Sequence, residues 1–162
     1  MTQAADVTRQ DAGAPRGATR SLLAVESAAD RWLFDLADIG EVVPLTPVTS
    51  VPRTQPWYAG LANVRGTLYS VVDLSAFHGG APTARDDSAR LLLAAPRHGI
   101  NSALLVSRVL GLRSLDDLQA LPAAAERPAW AGDRYRDGKG GEWTRLHLPE
   151  LFKARSFLEI GI

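Results

Sequence analysis

The sequence predicts an all-β protein built as a small barrel or sandwich. Its apolar and β-branched runs are short, and turn-forming residues separate them at frequent intervals. Gly and Pro, 14 and 10 of the 162 residues, supply most of this punctuation. Segments with helical spacing of apolar residues are few. Many short strands with little helix are typical of all-β domains, and this length favours one domain or two small ones that share a core.

Composition argues against several classes of function. Lys plus Arg and Asp plus Glu number 18 each, so the basic surplus typical of proteins that bind nucleic acid or membrane surfaces is missing. The lack of cysteine excludes disulfides, thiolate zinc sites and cysteine nucleophiles. No apolar run approaches the roughly 20 residues of a membrane-spanning helix, and the N-terminus lacks a signal-peptide layout. We therefore expect a cytoplasmic protein that neither binds nucleic acid nor inserts into a membrane.

The N-terminal region divides into an arm and the start of a folded domain. Residues 1–20 are polar and have no sustained apolar period, which predicts a disordered arm. A single domain is expected over 21–160. Apolar runs at 21–26 and 30–36 predict its first two strands, joined by a short turn.

Two short helical segments are expected between these strands and the middle of the chain. The first is a helical turn between residues 37 and 43. The second opens at Pro56, because proline is tolerated in the first turn of a helix. Trp57 and Tyr58 are neighbours there, so one of them is expected to face the core and the other a surface or crevice.

The most distinctive stretch is residues 60–74, which predicts a turn that leads into a strand. Gly60 and Gly66 bracket its first part. Because glycine can adopt backbone angles that other residues avoid, these two glycines are expected to set the angle at which Arg65 is presented. A β-branched run follows and ends at Asp73, which is expected to cap the next turn.

The second half of the chain continues the pattern of short strands after a polar loop. This loop, residues 78–88, is rich in Gly, Pro and charge and is expected to form the seam between two sub-barrels. Beyond it we expect strands at 89–94 and 101–110, a helical segment at 115–121, a hairpin with a Gly-rich turn at 135–148 and a short helix from Pro149.

The chain lacks the residue patterns of common enzymes. His78, His98 and His147 are isolated and have no metal-ligand spacing. There is no Gly-x-Ser-x-Gly nucleophile motif. The glycines of 132–139 are spaced wrongly for a phosphate loop, so this segment predicts a turn. We therefore expect no enzyme activity, no cofactor and no metal.

The stretch at 60–74 resembles the hallmark of the CheW-like adaptor family, in which Gly-x-x-Asn-x-Arg-Gly leads into a strand that ends in Val-Asp-Leu. The matching residues here are Gly60, Asn63, Arg65, Gly66 and Val72-Asp73-Leu74. The family usually has a proline where this chain has Ser70 after Tyr69. The Leu-Tyr-Ser variant resembles the branch that serves type IV pilus (twitching) signalling, the PilI-like proteins.

The resemblance implies both a fold and a function. The implied fold is two small SH3-like five-stranded barrels that share a core, with a few short helices. The implied function is a non-enzymatic scaffold that couples a chemoreceptor-like transducer to a CheA-like histidine kinase. Its partners would be the regulatory domain of the kinase and the cytoplasmic tip of a methyl-accepting type receptor, and it would be recruited to membrane-associated receptor arrays.

The resemblance also implies a site. The family Glu before an apolar residue corresponds to Glu41, which is expected to pair with Arg65. The residues expected to contact partners are Glu41, Trp57, Tyr58, Asn63, Arg65 and Gly66. The second half departs from the family, for example at Val106-Ser107, so no contacts are assigned there.

Other interpretations remain open from the residues. Without the resemblance, Arg65 is better interpreted as a surface residue or half of a structural ion pair. A different class of function is a small β-barrel enzyme or ligand-binding domain whose pocket is lined by Trp57, Tyr58, Trp130 or Trp143. Within the adaptor class, flagellar chemotaxis is the alternative to pilus signalling.

Overall fold

The computed structural model describes residues 21–123 and 125–162. The expected N-terminal arm lies outside these residues. In chain order the strands are β1 (Ser21–Ser27), β2 (Asp30–Asp35), β3 (Ile39–Pro44), β4 (Val48–Thr49), β5 (Tyr58–Val64), β6 (Thr67–Asp73), β7 (Arg90–Ala94), β8 (Ser102–Val106), β9 (Arg108–Ser114), β10 (Gln119–Leu121), β11 (Ala131–Arg136) and β12 (Glu142–Leu146).

Helix is confined to short segments. The α-helices are α1 (Leu74–Phe77), α2 (Leu148–Lys153) and α3 (Arg155–Leu158), and single 3-10 turns lie at Leu36–Asp38, Pro96–His98 and Leu115–Asp117. Among the described residues, the longest α-helix has six residues, so none could cross a bilayer.

The strands form two six-stranded sheets. Sheet A has the order β10-β11-β12-β2-β1-β9, and sheet B has the order β3-β7-β8-β6-β5-β4. Most neighbours are antiparallel, but β12 pairs with β2 and β6 pairs with β8 in parallel. The chain therefore begins in sheet A, builds all of sheet B, and returns to complete sheet A.

Each sheet encloses a core of its own, and both contribute to a third. Leu22, Leu33 and Trp143 are buried together within sheet A. In sheet B the residues that point the other way from the shared core, such as Leu91 and Leu105, form a second cluster. The shared core joins residues of both sheets and both C-terminal helices: Leu23, Val25, Trp32, Phe34, Val72, Leu74, Leu92, Leu104, Val106, Trp130, Ala131, Leu146, Leu148, Leu151 and Phe157.

This arrangement confirms the all-β prediction of two small barrels on a common core. Each sheet has six strands rather than five, because the two-residue β4 and the three-residue β10 add short edge strands. The expected position of the seam is wrong for the sheets. The loop at 78–88 connects α1 to β7 within sheet B, whereas the chain crosses between the sheets at Leu36–Asp38 and at Ser107.

Three helical predictions also need correction. Residues 39–44 form β3, and only Leu36–Asp38 before them is helical. Pro56 opens a turn rather than a helix, and β5 begins at Tyr58. The leucines of 115–121 have helical spacing, but only Leu115–Asp117 forms a turn of 3-10 helix before β10 pairs with β11. In each case pairing with a distant strand overrides a weak local preference.

Candidate partner-binding site

The hallmark stretch forms a β-hairpin with a two-residue turn. Val64 and Thr67 face each other across β5 and β6, which leaves Arg65 and Gly66 as the turn. Their φ angles are 49° and 88°, as a type I′ turn requires. Gly66 adopts a positive φ easily, whereas a bulky residue such as Arg65 does so at a cost of about 1–2 kcal/mol. The Oδ1 atom of Asn63 accepts a hydrogen bond from the Gly66 N–H at 2.8 Å, which helps to hold the turn.

The hairpin presents Arg65 to Glu41 on the opposite edge of sheet B. Glu41 lies on β3, opposite Leu93 of β7, just after a β-bulge. The Nη2 atom of Arg65 donates to Oε1 of Glu41 in an ion pair. The pair therefore joins β3, at one edge of sheet B, to the β5–β6 hairpin. The pairing implied by the family resemblance is present in the structure.

The ion pair is open to solvent. The side chains of Arg65 and Glu41 are 65% and 44% exposed. Exposed pairs of this kind contribute about 0–1 kcal/mol to stability, because water screens the charges. Beneath Glu41 is a cavity of about 120 Å³ lined by Gly40, Tyr69 and Pro96 among others. The pair therefore contributes little to the stability of the fold.

Gly60 has a separate task in the same hairpin. It follows a bulge in β5 and has a φ of 136°. A Cβ atom at this position would overlap the carbonyl oxygen of Thr49 and lie 2.7 Å from the Thr49 carbonyl carbon. Glycine therefore allows β4 to pack against β5. Gly60 and Gly66 do not act together to orient Arg65, since only Gly66 belongs to its turn.

Trp57 and Tyr58 lie at the other end of β5 from Arg65. Both are half-buried and pack against the shared core. The Trp57 ring is 5.0 Å from that of Phe77, edge to face, and stacks on Phe157 at 6.3 Å. The Tyr58 hydroxyl lies 3.0 Å from the Ser70 hydroxyl. The expectation that only one of the two faces the core is wrong.

The aromatic pocket proposed as the alternative is not supported by these positions. Trp130 and Trp143 are 5% and 2% exposed and belong to the core clusters. Trp57 and Trp130 both pack on the ring of Phe77, and Trp57 and Tyr58 pack against the shared core.

The predicted capping role of Asp73 is confirmed and extends further. Its Oδ1 atom accepts from the Ala76 N–H at 3.4 Å at the start of α1. The same carboxylate accepts from the Thr83 N–H at 2.8 Å and the Thr83 hydroxyl at 2.6 Å. This 5% exposed residue therefore ties the loop after α1 back to the end of the hallmark strand.

Sequence reasoning missed one charged cluster beside this site. Asp38 is buried just before β3 and pairs with Arg97, while the Nε2 atom of His98 lies 3.2 Å from its Oδ1 atom. Asp38 and Arg97 are 59 positions apart, so no local residue spacing predicts their contact. Among the described residues no group of three or more His, Cys, Asp or Glu could hold a metal.

Comparison with known proteins agrees with the fold and the hairpin. Residues 21–155 match the model of the CheW-like domain family. Protein PilI of Pseudomonas aeruginosa is 30% identical over 137 residues, which cover 81% of this chain and 74% of that protein. The crystal structure of the scaffolding protein TtCheW from Thermoanaerobacter tengcongensis superposes with a TM-score of 0.69 over 85% of this chain and 95% of that one, at 19% identity.

Two small barrels on one core, with the Arg65–Glu41 pair on one of them, are the architecture of a CheW-like domain. The family match covers most of the chain and contains the whole hallmark hairpin. The chain belongs to the CheW-like domain family.

Proposed function

We propose that this protein is an adaptor that couples a chemoreceptor-like transducer to a CheA-like histidine kinase. Membership of the CheW-like family supports the adaptor role. The kinase contact would be made with its regulatory domain and the receptor contact with its cytoplasmic tip. The protein would act in the cytoplasm and be recruited to membrane-associated receptor arrays.

The observation that carries the proposal is the Arg65–Glu41 pair on a fixed turn. Arg65 is held in a strained backbone conformation but remains 65% exposed, although its pair adds little to stability. A planar guanidinium with five donors can bond Glu41 through one edge and a partner through the other. Asn63 and Gly66 would fix the turn against the partner, and the half-buried Trp57 and Tyr58 would extend the contact along β5 with apolar surface.

An adaptor of this kind would control the kinase through binding alone. It can shift the activity of an assembly only if it binds one arrangement of receptor and kinase more tightly than another. No reacting group is required for that task. The relevant property of the site is rigidity, which lowers the entropy lost when a partner binds.

We place the adaptor in type IV pilus signalling rather than in flagellar chemotaxis. The Leu68-Tyr69-Ser70 segment of the hairpin resembles the pilus branch, and the 30% identity to Protein PilI favours the same assignment. Deletion of the gene from its host would then reduce twitching and leave flagellar swimming intact. Loss of swimming with normal twitching would reverse the assignment.

The first test is a binding assay of the purified protein with the CheA-like kinase and a receptor cytoplasmic fragment from the same source. We expect Arg65→Ala to weaken at least one interaction about tenfold, which corresponds to ~1.4 kcal/mol. Thermal unfolding should stay within a few degrees of wild type, because the exposed pair contributes about 1 kcal/mol or less.

The matched control is Arg108→Ala. Arg108 is also an exposed arginine in an ion pair, with Glu26, but it lies on β9 in sheet A. It should bind both partners as wild type does. The charge reversal Glu41→Arg with Arg65→Glu should restore part of the binding lost by each single change. Binding of folded wild type to neither partner would contradict the proposed function.

A further inference from the structure

The Asp38 cluster contains a carboxylate that needs an explanation. The Asp38 side chain is 6% exposed, and burial of an unpaired charge is costly. Arg97 and His98 approach it from one 3-10 turn, and its backbone oxygen accepts from the Ala95 N–H at 2.9 Å. Asp38 is thus attached to the turn between β7 and β8 by both its side chain and its backbone.

This attachment lies immediately before the bulge that sets the position of Glu41. Ile39 faces Ala94 and Glu41 faces Leu93, so Gly40 is the extra residue of β3. A Cβ atom at Gly40 would lie 3.1 Å from the Ala94 carbonyl oxygen, so β3 packs tightly on β7 at this point. The direction of Glu41 therefore depends on where the chain enters the bulge, immediately after Asp38.

The same turn supports the site from below. Pro96 lines the cavity of about 120 Å³ that also includes Glu41 and Tyr69. The side chain of His98 is 8% exposed and its ring packs edge to face on Phe152 of α2, with centroids 5.2 Å apart. The turn therefore contacts the cavity under Glu41 on one side and a C-terminal helix on the other.

We propose that Asp38, held by Arg97 and by the backbone bond from the Ala95 N–H, is a positioning residue that fixes the β3 bulge and so aims the Glu41 carboxylate at Arg65. The partner-binding role of that pair rests on the proposed function, but the positioning itself does not.

The test uses the folded protein without any partner. NMR signals of the Arg65 Nε–Hε group and the Glu41 side-chain carboxyl carbon report directly on their pairing. In Asp38→Asn, the Arg65 signal should move toward its value in Glu41→Gln, and the Glu41 signal toward its value in Arg65→Ala. Each of these two reference changes abolishes the pair. Arg97→Gln should cause a smaller change of the same kind, and because Arg97 is 56% exposed this variant is expected to fold.

Two controls separate positioning from general damage. Glu26→Gln removes the carboxylate of the Arg108–Glu26 pair in sheet A and should leave both signals unchanged. Leu22→Ala destabilises the core of sheet A and should also leave them unchanged. Unchanged signals in folded Asp38→Asn, or in Arg97→Gln if Asp38→Asn does not fold, would overturn the proposal.

Partner binding then distinguishes this inference from the proposed function. If both hold, Asp38→Asn weakens binding about threefold to tenfold and shifts the two signals. Shifted signals with unchanged binding would confirm the positioning role and count against Arg65–Glu41 as the working surface. Weaker binding with unshifted signals would contradict positioning and leave the adaptor role intact.

Discussion

Gly60 is the residue whose replacement we expect to damage the candidate site most. Its φ of 136° is unfavourable for any residue with a Cβ atom, and that atom would overlap the Thr49 carbonyl. Gly60→Ala must therefore separate β4 from β5 as well as strain the backbone. We expect a loss of about 3 kcal/mol in the free energy of unfolding, measured by urea denaturation.

Two other glycines separate strain from overlap. Gly66 has a φ of 88° with no atom near its missing Cβ, so Gly66→Ala should cost about 1 kcal/mol from strain alone. Gly138→Ala, which has neither problem, should change stability by less than about 0.5 kcal/mol. Equal losses for Gly60→Ala and Gly66→Ala would show that the Thr49 contact has no effect.

The sequence predicts the residues of the hairpin turn but not the distant residues that contact them. The glycines, Asn63 and Arg65 were identified because turn chemistry is local. The Glu41–Arg65 pair came from the family resemblance, since 24 positions separate the two residues. The Asp38–Arg97 contact had no signal, because only the folded sheet brings a residue of one crossover to a turn 59 positions away.

Among the elements, the β11–β12 hairpin depends on one carboxylate in its turn. Asp137 accepts hydrogen bonds from the backbone N–H groups of Lys139 and Gly141, at 2.9 and 2.8 Å, and from the Trp143 indole N–H at 3.0 Å. The Trp143 bond above all, with these backbone bonds and the nearby Arg31 charge, holds the pKa of Asp137 below its ordinary value of 3.8.

This direction determines how the hairpin responds to acid. A carboxyl group whose pKa is lower in the folded state stabilises the fold above its ordinary value of 3.8, and this stabilisation is lost as the pH falls through the lowered folded value. Asp137→Asn should therefore unfold at lower urea than wild type at pH 7, and the gap should narrow below about pH 4.

The comparison variant for this prediction is Asp133→Asn, which changes an exposed carboxyl group on the same hairpin. It should follow wild type at every pH. If the gap between wild type and Asp137→Asn stayed constant from pH 7 to pH 3, ionisation of Asp137 would have no part in hairpin stability.

Element boundaries were predictable where one local signal acted alone. The Gly-rich hairpin and the helix that begins near Pro149 are confirmed, because turn residues and proline dictate them directly. The helix predicted at 115–121 is wrong, because β10 gains its hydrogen bonds from β11, about 15 residues away, and leucine spacing cannot report that pairing.

For the whole molecule, the sequence indicated short strands and the resemblance supplied their arrangement. The parallel pairs β2–β12 and β6–β8 join segments far apart in the chain, and no turn specifies them. The β2–β12 pair is formed when the chain, after completing sheet B, returns to sheet A. The loop at 78–88 does not mark the change of sheet, because loop composition indicates an exposed connection and carries no information about which sheet the next strand joins.

The shared core should make the two sheets unfold as one unit. Leu105 is fully buried in the core that belongs to sheet B alone, whereas Trp32, Trp130 and Trp143 lie on or beside sheet A. The fourth tryptophan, Trp57, precedes β5 of sheet B, so it is replaced by Phe in every protein compared and the remaining fluorescence reports on sheet A. Leu105→Ala should lower the free energy of unfolding by about 3 kcal/mol. We expect urea transitions followed by tryptophan fluorescence and by far-UV circular dichroism to move together to lower urea, because Leu104, the next residue of β8, packs in the shared core. In Leu22→Ala, which changes the core within sheet A alone, the fluorescence and circular dichroism transitions should also move together. A circular dichroism transition that shifts in Leu105→Ala while the fluorescence transition stays in place would show that sheet A survives the loss of sheet B, and that the shared core does not couple them.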